Sequence, residues 1–183
     1  MMRQKIAILF GGLSSEYDIS LATSTAIIEN IDKNKYDLVM IGITREGDFY
    51  LYNGDVAKIA KDEWFDLDFC EKITISVNRS DRGIINLETK EIIKIDLMFL
   101  ALHGKNGEDG TLQGLLELAG IKYVGCDMVS SAICMDKFLA HELVTMNGLL
   151  APKAYVFGKD EEYLKILEKA NSLKYPLFVK PLK

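Results

Sequence analysis

Three side chains in this sequence are placed to do chemistry: the acid Glu16, the imidazole His103 and the ammonium group of Lys180. His103 opens the run His103-Gly-Lys-Asn-Gly-Glu-Asp-Gly-Thr-Leu-Gln-Gly114. It follows the unbroken apolar stretch Leu97–Leu102 and precedes a helical pattern from Leu112 to Ala119. The order is buried strand, glycine-rich loop, helix. In open α/β sheets, ligands bind outside the carboxyl ends of strands, where this histidine falls. Gly104, Gly107 and Gly110 let the backbone fold tightly around a ligand. The plain alternative is a tight turn, with Asp109 and Thr111 capping the next helix.

Glu16 closes the turn Gly11-Gly-Leu-Ser-Ser-Glu16. This is not the GxGxxG of a dinucleotide site, and a carboxylate at a helix start repels a phosphate. It suits a ligand ammonium group; the alternative is that it only complements the helix dipole or caps the helix. Lys180 sits in the apolar run Tyr175-Pro-Leu-Phe-Val-Lys-Pro181. Burying an unpaired lysine is costly, so this cation is expected to face a bound anion, unless it only guards an edge strand. Lys137 by itself reads as a solvated charge. His141 reads as a partly exposed helix histidine.

The elements that position these residues are legible from periodicity. Ile6–Phe10 is an apolar run typical of a strand buried on both faces. Ile19, Ala22, Thr23, Ala26, Ile27 and Ile31 recur at helical spacing, and residues 36–43 form a second strand. This βαβ unit implies a right-handed crossover and a parallel sheet. Residues 44–54 pattern as a hairpin around Gly47; 73–77 and 83–93 read as short strands beside the main sheet, with Trp64 as a packing anchor. Residues 121–124 read as a strand, and 130–147 as one long helix ending at Asn147-Gly148. Residues 154–157 and 175–181 read as further strands, with a helix over 161–172. The expected fold class is α/β, with a Rossmann-like parallel sheet.

The 183 residues suffice for one domain plus part of another. A net charge of −5, without a basic cluster, argues against nucleic acid or anionic membrane as partner. The three cysteines lack CxxC spacing and read as reduced thiols of a cytoplasmic protein. Two histidines exclude a histidine-rich metal centre. The N-terminal apolar run is too short for a signal peptide core or a membrane span. A chain that stops just after a strand with no capping element reads as a fragment.

Four stretches, GGLSSEYDIS at 11–20, HGKNGEDGTLQG at 103–114, GCDMVSSAICMDK at 125–137 and YPLFVKP at 175–181, together resemble the N-terminal half of the D-alanine–D-alanine ligase family of the ATP-grasp superfamily. The resemblance runs over essentially the whole chain, and HGxxGEDGxxQG is its most specific part. It implies a pre-ATP-grasp α/β domain over residues 1–127 and the truncated start of an α+β ATP-grasp domain over 128–183. It also implies a cytoplasmic enzyme that forms homodimers. Such an enzyme phosphorylates the carboxylate of one D-alanine, and the amine of a second D-amino acid attacks the acyl phosphate. The dipeptide feeds peptidoglycan synthesis.

Carried over by position, the resemblance makes Glu16 the acid that receives the ammonium of the first D-alanine. It makes His103 a group that orients the second amino acid or relays a proton. Lys137 and Lys180 become cations near the phosphates of ATP, in keeping with phosphoryl transfer as positioning and charge neutralisation. The Mg2+ ligands, the serine-containing phosphate loop and the oxyanion arginine would lie beyond Lys183, so no metal ligand is assigned and the chain alone is expected to lack ligase activity. Tyr17 departs from the histidine common after this glutamate and is similar to the glycopeptide-resistance branch that makes D-alanyl-D-serine, as is the extended 44–95 region. D-alanine and D-serine both stay open as second substrate. Two other readings compete: a non-catalytic Rossmann-like binding or dimerisation module, and a different ATP-grasp carboxylate–amine ligase.

Overall fold

The computed structural model describes residues 3–181 and divides into two units, one ending at Ser131 and one beginning at Ala132. The first unit holds an eight-stranded sheet. Its strands are β1 (Gln4–Gly11), β2 (Tyr36–Ile43), β3 (Phe49–Tyr52), β4 (Cys70–Ile75), β5 (Gly83–Asn86), β6 (Ile92–Lys94), β7 (Leu97–Leu100) and β8 (Tyr123–Val124). The spatial order is β6-β5-β4-β3-β2-β1-β7-β8. Strands β2, β1, β7 and β8 run parallel, whereas β3 to β6 continue the same sheet as an antiparallel wing. The sheet is therefore mixed. The parallel expectation holds only for the half built by helical crossovers; in the wing, short connections join antiparallel neighbours except between β3 and β4, where residues 53–69 intervene.

Strand β1 explains its own apolar run. Ala7 and Leu9 join the core on one face, packed with Leu112, Leu116 and Ala119 of α3 (Thr111–Ala119). Ile6, Ile8 and Phe10 join the core on the other face, packed with Tyr17, Leu21 and Ile28 of α1 (Tyr17–Asn30) and Ile59 of α2 (Val56–Ala60). Successive side chains point to opposite faces, so a strand covered on both sides must be apolar throughout.

The buried row of α1 is Tyr17, Ser20, Leu21, Ser24 and Ile28. The row expected from apolar spacing holds at Ile27 and Ile31, which pack against the core, but Ile19 is half exposed and Ala22 and Ala26 face solvent. Two serines take the buried places because their hydroxyls find backbone acceptors, Ser24 on Leu21 O and Ser20 on Ala101 O. Trp64 is fully buried, edge-on to Phe10 with ring centroids 5.0 Å apart. It presses so closely on β2 that a methyl group on Gly42 would lie 2.2 Å from its ring.

The single helix expected over 130–147 is two, α4 (Met128–Met135) and α5 (Lys137–Met146). Asp136 separates them. Its backbone is extended and its carboxylate accepts the amides of Phe138 and Leu139, so the side chain caps a new helix in place of continuing the old one. In the second unit, α6 (Tyr163–Asn171) lies where a helix was expected. The strands expected over 154–157 and 175–181 are not formed among the described residues. A strand exists by pairing, and no ladder partner meets either segment; Phe178 and Val179 are almost wholly exposed.

Candidate functional site

The chain leaves β1 through α1 towards β2 on one side, and leaves β7 through α3 towards β8 on the other. Strands β1 and β7 are parallel neighbours, and the helices that follow them pack on opposite faces of the sheet. That is the switch point at which open α/β sheets bind ligands. Ser20 ties the two strand ends together: its hydroxyl accepts the amide of Gly11 at 2.9 Å and donates to the carbonyl of Ala101 at 2.5 Å.

Glu16 and the His103 loop meet at this switch point. Glu16 is the N-cap residue of α1 by backbone, but its side chain makes no capping hydrogen bond. Its carboxylate lies against Gly104 instead: a methyl group on Gly104 would be 2.3 Å from Glu16 Oε2 and 2.8 Å from Ser14 Oγ. Gly104 has φ +69°, so this position needs glycine both for its backbone and for the acid beside it. The Ser14 hydroxyl accepts the Glu16 amide at 3.1 Å and fixes the turn that presents the acid.

The imidazole is held from two sides. Nε2 is 3.0 Å from Thr23 Oγ1 of α1, and Nδ1 is 3.8 Å from Glu108 Oε1. With the proton on Nδ1, Nε2 accepts from the Thr23 hydroxyl; with the proton on Nε2, that nitrogen donates to it. Glu108 also accepts the Gly104 amide at 2.7 Å, and its own amide donates to Gly104 O at 2.9 Å, so residues 104–108 close on themselves. Burial works against the charge of Asp109, but the amides of Asn106 and Thr111 outweigh it and hold the carboxyl below the usual carboxylate range. Asp109 thus ties the loop to the start of α3, whose N-cap is Gly110. Gln113 Nε2 donates to Gly107 O from beneath.

Lys137 is the first residue of α5 and is exposed. Lys180 is exposed too, its Nζ 6.0 Å from the Phe178 ring centroid. Its flanking apolar residues are not buried, so the desolvation that marked it in the sequence does not occur in this chain. His141 is half-buried, with Nδ1 lacking a hydrogen-bond partner. Tyr17 is 3% exposed, its hydroxyl accepts from Trp64 Nε1 at 2.8 Å, and burial, partly offset by that bond, pushes its pKa up to about 12.

Sequence reasoning missed Ser14, Ser20, Thr23 and the grip of Glu108 on the loop. Thr23 falls in the apolar spacing of the helix, yet it lies seven residues after Glu16, two helical turns along the same face, which is the signal that links the two.

The switch point of this mixed α/β sheet thus brings together a carboxylate, an imidazole and a glycine-rich loop. Family comparison places the chain among known proteins. Residues 5–126 match the family described as D-ala D-ala ligase N-terminus, and the chain belongs to that family. It is 47% identical over 189 residues to a D-alanine–D-alanine ligase of Thermoanaerobacter pseudethanolicus, covering 99% of this chain and 51% of that protein. It is 42% identical over 183 residues to the vancomycin/teicoplanin A-type resistance protein VanA of Enterococcus faecium, covering 99% and 50%. The crystal structure of the VanG D-Ala:D-Ser ligase from Enterococcus faecalis superposes with a TM-score of 0.88 at 50% identity, covering all of this chain and 53% of that one. The chain thus spans about half the length of the relatives it matches.

Proposed function

We propose that this chain is the N-terminal part of an ATP-dependent D-alanine–D-amino acid ligase of the ATP-grasp type, acting in peptidoglycan synthesis. The observation that carries the reading is the contact of the Glu16 carboxylate with Gly104, next to the imidazole, at the switch point. A carboxylate with no capping duty at a switch point pairs with the ammonium of an amino acid; a charge-assisted bond of this kind is stronger and more directional than a neutral one. In this reading His103, which contacts Thr23 and Glu108 and precedes Gly104, orients the second amino acid or passes its proton. In the complete enzyme, a glycine-rich loop over the site would exclude water and protect an activated carboxylate from hydrolysis.

Lys137 and Lys180 fit the phosphates of ATP by charge and exposure, and they are the residues of this chain that would hold them. When bound, ATP supplies the phosphoryl group that activates the first D-alanine. Among the described residues no group of three or more His, Cys, Asp or Glu side chains could hold a metal ion, so no role for Mg2+ is drawn from this chain. No helix among the described residues is long and apolar enough to cross a membrane. A cytoplasmic homodimer completes the reading.

The second substrate is D-alanine or D-serine. The buried Tyr17 hydroxyl is engaged by Trp64 and does not choose between them by contact. The test is the gene's complete product incubated with ATP, magnesium and D-alanine, with and without D-serine, the products separated by mass. D-alanine-dependent ADP release with a dipeptide product supports the reading; ATP turnover without a dipeptide, or none at all, contradicts it.

A further inference from the structure

The residue that follows the proposed ligand acid is gripped from outside its own helix. Tyr17 lies under Arg45, whose guanidinium carbon is 3.8 Å from the centroid of the ring. The same guanidinium binds Asp18 at 2.7 Å and Asp62 at 2.8 Å through Nη2. The Tyr17 hydroxyl is fixed by Trp64, which is itself immobilised against Gly42. Arg45 stands on the tight turn between β2 and β3, where the Thr44 amide donates to Asp48 O and the Gly47 amide to Thr44 O. The first two residues of α1 are therefore held by a rigid hairpin turn and by the 62–64 segment.

Glu16 has no side-chain bond to fix it as a cap, so the aim of its carboxylate depends on where the start of α1 is held. We propose that Arg45 and Tyr17 are positioning residues for Glu16, clamping the start of α1 so that its carboxylate stays over Gly104 in the amino-acid site. This rests on the reading of Glu16 given above. The ion pairs of Arg45 are half exposed, with side-chain accessibilities of 51%, 81% and 42% for Arg45, Asp18 and Asp62, and such pairs contribute little each. The planar guanidinium lies over the Tyr17 ring while its Nη2 meets both acids, and that combination of stacking and pairing is the part that a lysine cannot reproduce.

The experiment compares the 183-residue chain with Arg45→Met, Arg45→Lys, Tyr17→Phe and, as a remote control on β6, Lys94→Met. Two quantities are read: the nuclear Overhauser effect between the Glu16 side chain and the Gly104 α-protons, and the dissociation constant for D-alanine. Arg45→Met is expected to lose most of the Overhauser intensity and to weaken D-alanine roughly tenfold, below the hundredfold that a full ångström of misplacement can cost. Arg45→Lys should recover only part of both, Tyr17→Phe should fall between, and Lys94→Met should match the parent. Folded Arg45→Met and Tyr17→Phe chains that keep the Overhauser effect at parental strength overturn the proposal. If the parent shows the Overhauser effect but does not bind D-alanine, the positioning role is still decided by the proton contact, and the functional reading is decided by the dipeptide assay on the complete product.

Discussion

The Glu16 carboxylate and the α-carbon of Gly104 occupy adjoining space, so that a single methyl group on Gly104 would meet Oε2 at 2.3 Å. Two loops far apart in sequence meet here because β1 and β7 are parallel neighbours whose helices leave in opposite directions.

Gly104→Ala is the direct probe of that contact. A non-glycine residue at φ +69° carries strain of roughly 1–3 kcal/mol, and the acid must also move. A chain of this size should lose a few degrees of Tm, about 2–4 °C per kcal/mol. Calorimetry should show weaker D-alanine binding alongside the lower Tm. An unchanged Tm with unchanged affinity contradicts the geometry.

Gly42 and Trp64 test the support behind the site. Gly42→Ala places a methyl group 2.2 Å from a fully buried indole, and overpacking of this kind costs about 1–3 kcal/mol. Trp64→Phe frees space but removes the bond to Tyr17. The double variant should be more stable than the sum of the single effects predicts, with a coupling of roughly 1 kcal/mol or more. Additive losses in urea unfolding would show that the two sites do not touch.

Alkaline stability follows from two tyrosines. Burial pushes Tyr17 and Tyr123 from the ordinary 10.0 up to about 12, Tyr123 with further help from its bond to Glu117. Between pH 10 and 12 the unfolded chain releases these protons while the folded chain keeps them. The folded state then binds more protons, so stability is fully present below pH 10 and falls as pH rises through the window. Urea melts at pH 9, 10 and 11 should show the decline, and Tyr17→Phe should flatten part of it. A stability that is level or rising over this range would refute the assignment.

What was legible in the sequence is what local chemistry dictates. Strand β2 has the bounds read from its β-branched run, and α5 ends at Asn147-Gly148 as its stop signal requires. The histidine loop sits at the end of a buried strand because Leu97–Leu102 has no polar break. What escaped reading depends on partners distant in sequence. Ser20 and Ser24 are buried because of carbonyls they meet, one of them 81 residues away. Asp136 breaks a continuous helical pattern because its carboxylate competes for two amides. Apolar runs at 154–157 and 175–181 show what a strand is made of, but not whether a neighbour pairs with it.

The most direct measurement is D-alanine binding to the parent chain and to Glu16→Gln, by calorimetry or by amide shifts at residues 103–108. Glutamine keeps the size of the side chain and removes its charge, and a lost charge-assisted bond is worth about 1.5–3 kcal/mol. Affinity should fall at least tenfold in Glu16→Gln while its Tm stays near that of the parent, since the side chain makes no capping bond. Equal affinity in the two proteins would contradict the assignment of Glu16 as the receiver of the amino group.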